Sequence, residues 1–374
     1  MWYVNGRIFT PEGYVSGAFE VADGRFAAVT AGDPGAADAV DLGGAKVIPG
    51  LVDIHTHGNS GADFSDGDID GLARMARFLA RQGVTAFAPT SMTLPYDALA
   101  AAFAAAAELR RRAPAGCARI AGIHMEGPFF SEKKKGAQNA DYLKKPDFEA
   151  FRQLYEGCGG LVRIADVAPE LDGAEEFVRR ASKLCRVSVA HTDADYDQAR
   201  AAFEAGATHL THLFNAMPPI HHRSPGVIGA ASERENVAAE LICDGLHVHP
   251  SAVRMAFRLF PGRICLISDA LRCCGMPDGE YALGGQRVFL KGGVARLADG
   301  TIAGSAATLA DCLRNAVRFG IPEDEAVRAA TLLPARAIGA DGEIGTIEPG
   351  KRADFAVCSD ALDVRRAFIG GEPV

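Results

Sequence analysis

Eight short apolar runs recur along the middle of the chain, and the stretches between them carry helical period. The runs are 47–54, 84–89, 119–125, 161–167, 186–190, 208–213, 237–243 and 263–268. Near-continuous apolar strands alternating with helices are the mark of parallel βαβ units, because both faces of such a sheet are covered. Eight such strands close a barrel. The intervening helices agree: Leu72, Met75, Ala76 and Leu79 fall at i, i+3, i+4 and i+7, and Leu309, Leu313, Ala316 and Val317 form a similar stripe. Asp97 is read as the N-cap of the alanine-rich helix that runs to Arg112, and Pro250 as the first turn of a late barrel helix.

The two ends of the chain have another texture. Short alternating segments are punctuated by Asn5-Gly6 and Asp23-Gly24, the strongest short hairpin signals, and residues 344–374 look alike. A length of 374 residues exceeds the roughly 250 of one barrel. The reading is an α/β protein: a (β/α)8 TIM barrel over 49–343 and a small β-sandwich domain built from 1–48 plus 344–374.

Composition then narrows function. A net charge of −8 argues against nucleic-acid binding. No apolar run reaches the roughly 18 residues of a membrane span, and the N-terminus lacks a charged region followed by an apolar one. Nine cysteines lie without a CxxC pair, as expected of small buried hydrophobes in a reducing compartment. A soluble cytoplasmic protein is expected. GxGxxG, P-loop and GxSxG motifs are absent, so nucleotide and serine-hydrolase chemistry have no anchor.

In a barrel of this kind the chemistry stands at the C-terminal ends of the strands. There the sequence places His55 and His57, the run His124-Met125-Glu126, His191, His212 and Asp269. Imidazoles and carboxylates converging from five strands suit a divalent metal, and His55 and His57, two apart on a strand, share a face. Zn²⁺ and Fe²⁺ fit best, with Mn²⁺ or Co²⁺ open. Glu126, His191 and His212 make a three-ligand set. A metal lowers the pKa of a bound water to about 7, which makes attack possible at neutral pH. Asp269 is the candidate proton shuttle, with a helix N-cap as its alternative. His209, three residues before His212, is expected to face the other side of its strand. His247 falls near the opening, and Arg223, in a Pro-flanked loop with His221 and His222, suits a phosphate or a solvated turn. Lys133, Lys134 and Lys135 are read as a solvated loop.

The stretches PGLVDIHTHG, HMEGPF, KKGAQ, DVAPE, AHTDA, THLFNAMPP, CDGLHV, ISDA and PGKRADF resemble the amidohydrolase superfamily, and within it the deacetylases of amino-sugar phosphates. The resemblance implies hydrolysis of N-acetylglucosamine 6-phosphate to glucosamine 6-phosphate and acetate in a homodimer, with one or two metals per chain. It carries the main metal to Glu126, His191 and His212, and a second, weaker ion to His55 and His57 with Glu126 as the bridge. Asp269 becomes the acid/base and His247 the group that orients and polarises the carbonyl. Asn215, Ala216 and Arg223 become phosphate contacts, Arg223 across the dimer. Ala137 and Gln138 fall on a sugar contact where some relatives carry His. The galactosamine epimer, a cyclic-amide hydrolase or aminohydrolase, and a non-catalytic homologue are the alternatives. Strand 4 lacks the lysine that many dinuclear relatives carboxylate.

Overall fold

The computed structural model describes residues 1–374. Parallel strands Leu51–Thr56, Val84–Ser91, Ile123–Met125, Val162–Val167, Arg186–Val189, His209–Leu210, Ala238–Ile242 and Ile264–Ile267 stand side by side in that order. Between the eighth and the first strand the ladder gives way to single contacts. The Asp269 N–H donates to His55 O at 2.9 Å, and Thr56 bridges Ala270. The buried Asp53 carboxylate reinforces this seam by accepting from Ser268 Oγ at 2.6 Å and from Ser268 N at 3.3 Å. Eight strands thus enclose one interior, as the sequence predicts.

That interior is layered. Val52, Ala86, Ile164 and Cys265 pack with Ala335, Ile338 and Ile344 as an apolar cluster. His124, Asp166, Ser188, His209, Thr211 and Glu240 form a second, polar layer, every member of it buried and hydrogen-bonded. The helical stripes pack outside the barrel, with Leu72, Met75, Ala76, Leu79, Leu309, Leu313 and Ala316 in the main core.

Three runs differ from their predicted extent. The first is split at Gly50: Lys46–Pro49 pairs antiparallel with Phe355–Cys358, and only Leu51–Thr56 enters the barrel. A Cβ on Gly50 would lie 2.1 Å from Thr85 Oγ1, so the corner admits glycine alone. The third run breaks after Arg119–Ile120, where a Cβ on Gly122 would stand 2.3 Å from Arg163 Cγ. The sixth is regular only over His209–Leu210, because His212 turns into the left-handed region at φ 29°. Asp97 is not an N-cap. The helix begins at Tyr96 after Pro95, and Asp97 lies in its first turn. Pro250 does open its helix.

The chain ends combine as predicted. Trp2–Thr10, Gly13–Ala22, Arg25–Ala31, Val40–Asp41, Lys46–Pro49, Phe355–Cys358, Val364–Ile369 and Glu372–Pro373 hydrogen-bond as one sheet. Three strands separate the strand of Phe26 from that of Phe355, which in a flat sheet means about 19 Å. Their rings lie 6.0 Å apart. The sheet therefore folds over itself into a sandwich, closed on Tyr3, Phe19, Phe26, Phe355 and Phe368.

An element not anticipated follows the eighth strand: Gly279–Leu283, Gln286–Lys291 and Val294–Leu297 form a separate antiparallel sheet. Its turns are Gly284-Gly285 and Gly292-Gly293, all at positive φ, as two-residue type I′ turns require.

Candidate active site

Three barrel strands deliver a side chain to the mouth by ending abruptly. His191 (φ 44°), His212 (φ 29°) and Asp269 (φ 47°) all occupy the left-handed region, which costs a non-glycine residue about 1–3 kcal/mol. Strain at three converging strand ends, held by the surrounding barrel, swings these groups toward one centre.

That centre is Glu126. Its Oε1 lies 3.2 Å from His191 Nε2, 3.1 Å from His212 Nε2 and 3.5 Å from His55 Nε2, and its Oε2 lies 3.4 Å from His57 Nε2. Asp269 Oδ1 stands 3.2 Å from His57 Nε2 and 3.5 Å from His55 Nε2. No helix starts at Asp269, which excludes the N-cap alternative.

The far sides of the rings decide whether a cation fits. His57 Nδ1 is 3.1 Å from Thr90 O, and His191 Nδ1 is 2.8 Å from Lys134 O. A carbonyl only accepts, so these nitrogens carry the protons and the Nε2 lone pairs face inward. His55 Nδ1 donates in the same way to Glu240 at 2.8 Å, and its Nε2 is buried without a hydrogen-bond partner. His191 and His212 bring their Nε2 atoms within 3.1 Å of each other. His212 Nδ1 has no partner to hold a proton, so either a proton on its Nε2 or a cation between the two rings satisfies this contact. Three donor groups result: Glu126–His191–His212 and His55–His57–Glu126 share one carboxylate at the mouth, and His55–His124–Glu240 lies beneath them.

Electrostatics lead to the same demand. Burial opposes a charge on His57, yet the Asp269 hydrogen bond and the Glu126 charge outweigh it and push the ring up to about 9. His212 is likewise pushed up to about 9 against burial, chiefly by Glu126. Burial would raise Glu126, but the surrounding histidines hold it well below the usual carboxylate range. Asp269, similarly placed, is also lowered and is ionised at neutral pH.

Above this centre opens a cavity of about 230 Å³ lined by His57, Glu126, Ala137, Gln138, His191, His212, Asn215, Ala216, His247 and Asp269. Gln138 donates from Nε2 to Glu126 Oε2 at 2.7 Å and accepts from Thr93 N at 2.7 Å, so it braces the central carboxylate. Asn215 folds its amide back onto His212 O at 3.1 Å and Leu213 O at 3.2 Å. His247 Nδ1 donates to Asp244 Oδ2 at 2.7 Å. Two candidates do not line the cavity: His55 is fully buried beneath it, and Arg223 is exposed in its loop with His221 and His222.

His209 does not face away as expected. It points into the barrel, 3.1 Å from Glu240 Oε1, because the left-handed turn at His212 breaks the two-residue alternation. It stays out of all three donor groups. Lys134, read as solvated loop, serves through its carbonyl on His191. Glu240, Asp244 and the Thr301–Gly304 side of the cavity were missed. A lone Glu inside VAAELIC was the available signal, since a buried charge must be paired.

Comparison with known proteins identifies the family. Residues 46–374 match the amidohydrolase family. An N-acetylgalactosamine-6-phosphate deacetylase from Escherichia coli O157:H7 is 36% identical over 369 residues, covering 98% of this chain and 97% of the relative. An N-acetylglucosamine-6-phosphate deacetylase from Vibrio furnissii is 37% identical over 340 residues, covering 90% and 85%. A mutant of the N-acetyl-D-glucosamine-6-phosphate deacetylase of Mycobacterium smegmatis, in complex with N-acetyl-D-glucosamine-6-phosphate, superposes with a TM-score of 0.94 at 37% identity, covering 100% of this chain and 98% of that one. The chain belongs to the amidohydrolase family.

Proposed function

We propose that the chain hydrolyses the acetamide of N-acetylglucosamine 6-phosphate, releasing glucosamine 6-phosphate and acetate. The observation that carries this reading is the meeting of four Nε2 atoms on Glu126 with Asp269 at their edge, at the base of a cavity sized for a small molecule. Glu126, His191 and His212 would hold the main divalent cation, and His55 and His57 with Glu126 a second. When bound, the cation supplies Lewis acidity and a water acidic enough to attack at neutral pH. Zn²⁺ or Fe²⁺ suits this nitrogen and carboxylate set.

The chain's own residues do the rest. Asp269 accepts a proton from the attacking water and delivers it to the departing amine. His247, its Nδ1 proton fixed on Asp244, turns Nε2 to the cavity to orient and polarise the acetyl carbonyl. Asn215 and the Ala216 backbone meet the phosphate. Ala137 and Gln138 border the sugar, with Gln138 also holding Glu126 in place. Arg223, too far out for its own cavity, serves the neighbouring subunit of a homodimer.

The galactosamine epimer is the second reading, favoured by the relative from E. coli O157:H7. Acetate release from the two epimeric 6-phosphates, measured as kcat/KM on metal-analysed protein, tests both. The first reading expects the gluco substrate to lead; the reverse order selects the second, and bound metal with no acetate from either overturns both. We place the enzyme in the cytoplasm. No helix is long and apolar enough to cross a membrane, and all nine cysteines are unpaired.

A further inference from the structure

One carboxylate beneath the site touches neither the cavity nor any atom of the reaction. Glu240, near the middle of the seventh strand, is fully buried. Its Oε2 accepts from His55 Nδ1 at 2.8 Å and from the His212 backbone N–H at 3.3 Å, and its Oε1 from His209 Nε2 at 3.1 Å. His124 Nδ1 lies 3.6 Å from Oε1, while that ring bonds Ile54 O at 3.0 Å and Asp166 Oδ1 at 2.9 Å.

We propose that Glu240 is a positioning residue for the cation on the His55–His57 side. Resting on the metal-dependent reading above, this assigns a separate determinant to the second ion. The comparison among the four rings carries it. For His57 and His191 a peptide carbonyl suffices to hold the proton on Nδ1. His55 alone leans on an ionised side chain, and burying such a charge is costly. A carboxylate supplies what a carbonyl does not: it makes the facing imidazole more basic and brings negative charge one layer beneath the ion, as outer carboxylates do for metal-bound histidines. The Nε2 it aims upward is the one without a partner. Through the His212 backbone the same carboxylate touches the other donor group, so the strand fixes the spacing of the two.

The test uses full-length wild type, Glu240→Gln and Glu240→Ala, saturated with Mn²⁺ and dialysed against graded chelator. Metal per chain is measured by mass spectrometry, and the spin coupling of paired ions by EPR. Wild type is expected to hold two ions with a coupled spectrum. Glu240→Gln, which keeps the shape but loses the charge, should bind the second ion about 10-fold more weakly, and Glu240→Ala about 100-fold. The first ion should be unmoved in both. A merely structural role would loosen both ions together, and that result overturns the proposal, as does wild-type retention of both ions in the variants. If Glu240→Ala fails to fold, Glu240→Gln decides alone. A wild type that holds one ion at saturation overturns the two-ion reading itself.

Discussion

At the scale of single residues, the carboxylates divide by what lies behind them. Asp269 faces the cavity and the histidines, so its removal should act on the chemical step. Asp269→Asn is expected to lower kcat by about 10²- to 10⁴-fold while leaving KM within about threefold. Near-native turnover in steady-state kinetics would disprove the assignment. Asp244 acts one step back. Burial would raise it, but its bonds from His247 hold it below the usual carboxylate range. A depressed folded pKa stabilises the fold above the unfolded value and loses that contribution as pH falls through the folded one. Asp244→Asn should therefore cost about 1–3 kcal/mol near neutrality, with the gap in melting temperature closing only below about pH 4. Among these residues, the ligand candidates were legible because they end apolar strands. Glu240 was legible only as a charge needing a partner, and the partners of Glu240 and Asp244 were not legible, since they lie on other strands or depend on the loop's closure.

At the scale of elements, the sheet formed by Gly279–Leu283, Gln286–Lys291 and Val294–Leu297 shapes the mouth. Gln286 Nε2 donates to Ala137 O at 2.6 Å, and Leu283 lines the cavity. Gln286→Ala removes one neutral hydrogen bond worth about 1 kcal/mol. It should raise KM about fivefold with little change in melting temperature, as kinetics and a thermal melt would show. This sheet was in principle readable, since two Gly-Gly pairs separate alternating runs. What could not be read was its docking place, because that contact joins residues 149 positions apart. The barrel strands were readable for the opposite reason, as burial on both faces leaves a local apolar signature.

At the scale of the whole molecule, the sandwich has a core of its own, while its Phe9, Ile48, Ala356 and Cys358 pack into the main core around the barrel. Phe355 packs against Tyr3, Phe19, Phe26 and Phe368. Phe355→Ala should cost about 3–5 kcal/mol by chemical denaturation, yet leave metal content per folded chain unchanged. The dimer is tested by mixing. Arg223→Ala and Asp269→Asn subunits, each inactive alone, should regain activity on exchange if Arg223 crosses the interface, and remain inactive if it serves its own site. By itself the sequence determined the barrel, the sandwich at its ends and the set of strand-end histidines and carboxylates, because periodicity and residue type are local properties. Only the tertiary structure decided how they face one another. Three left-handed strand ends turn the ligands inward, Glu240 and two carbonyls set the ring tautomers, and His209 is left beneath the site. Each of these depends on atoms brought together by closure of the barrel, and no local pattern encodes that.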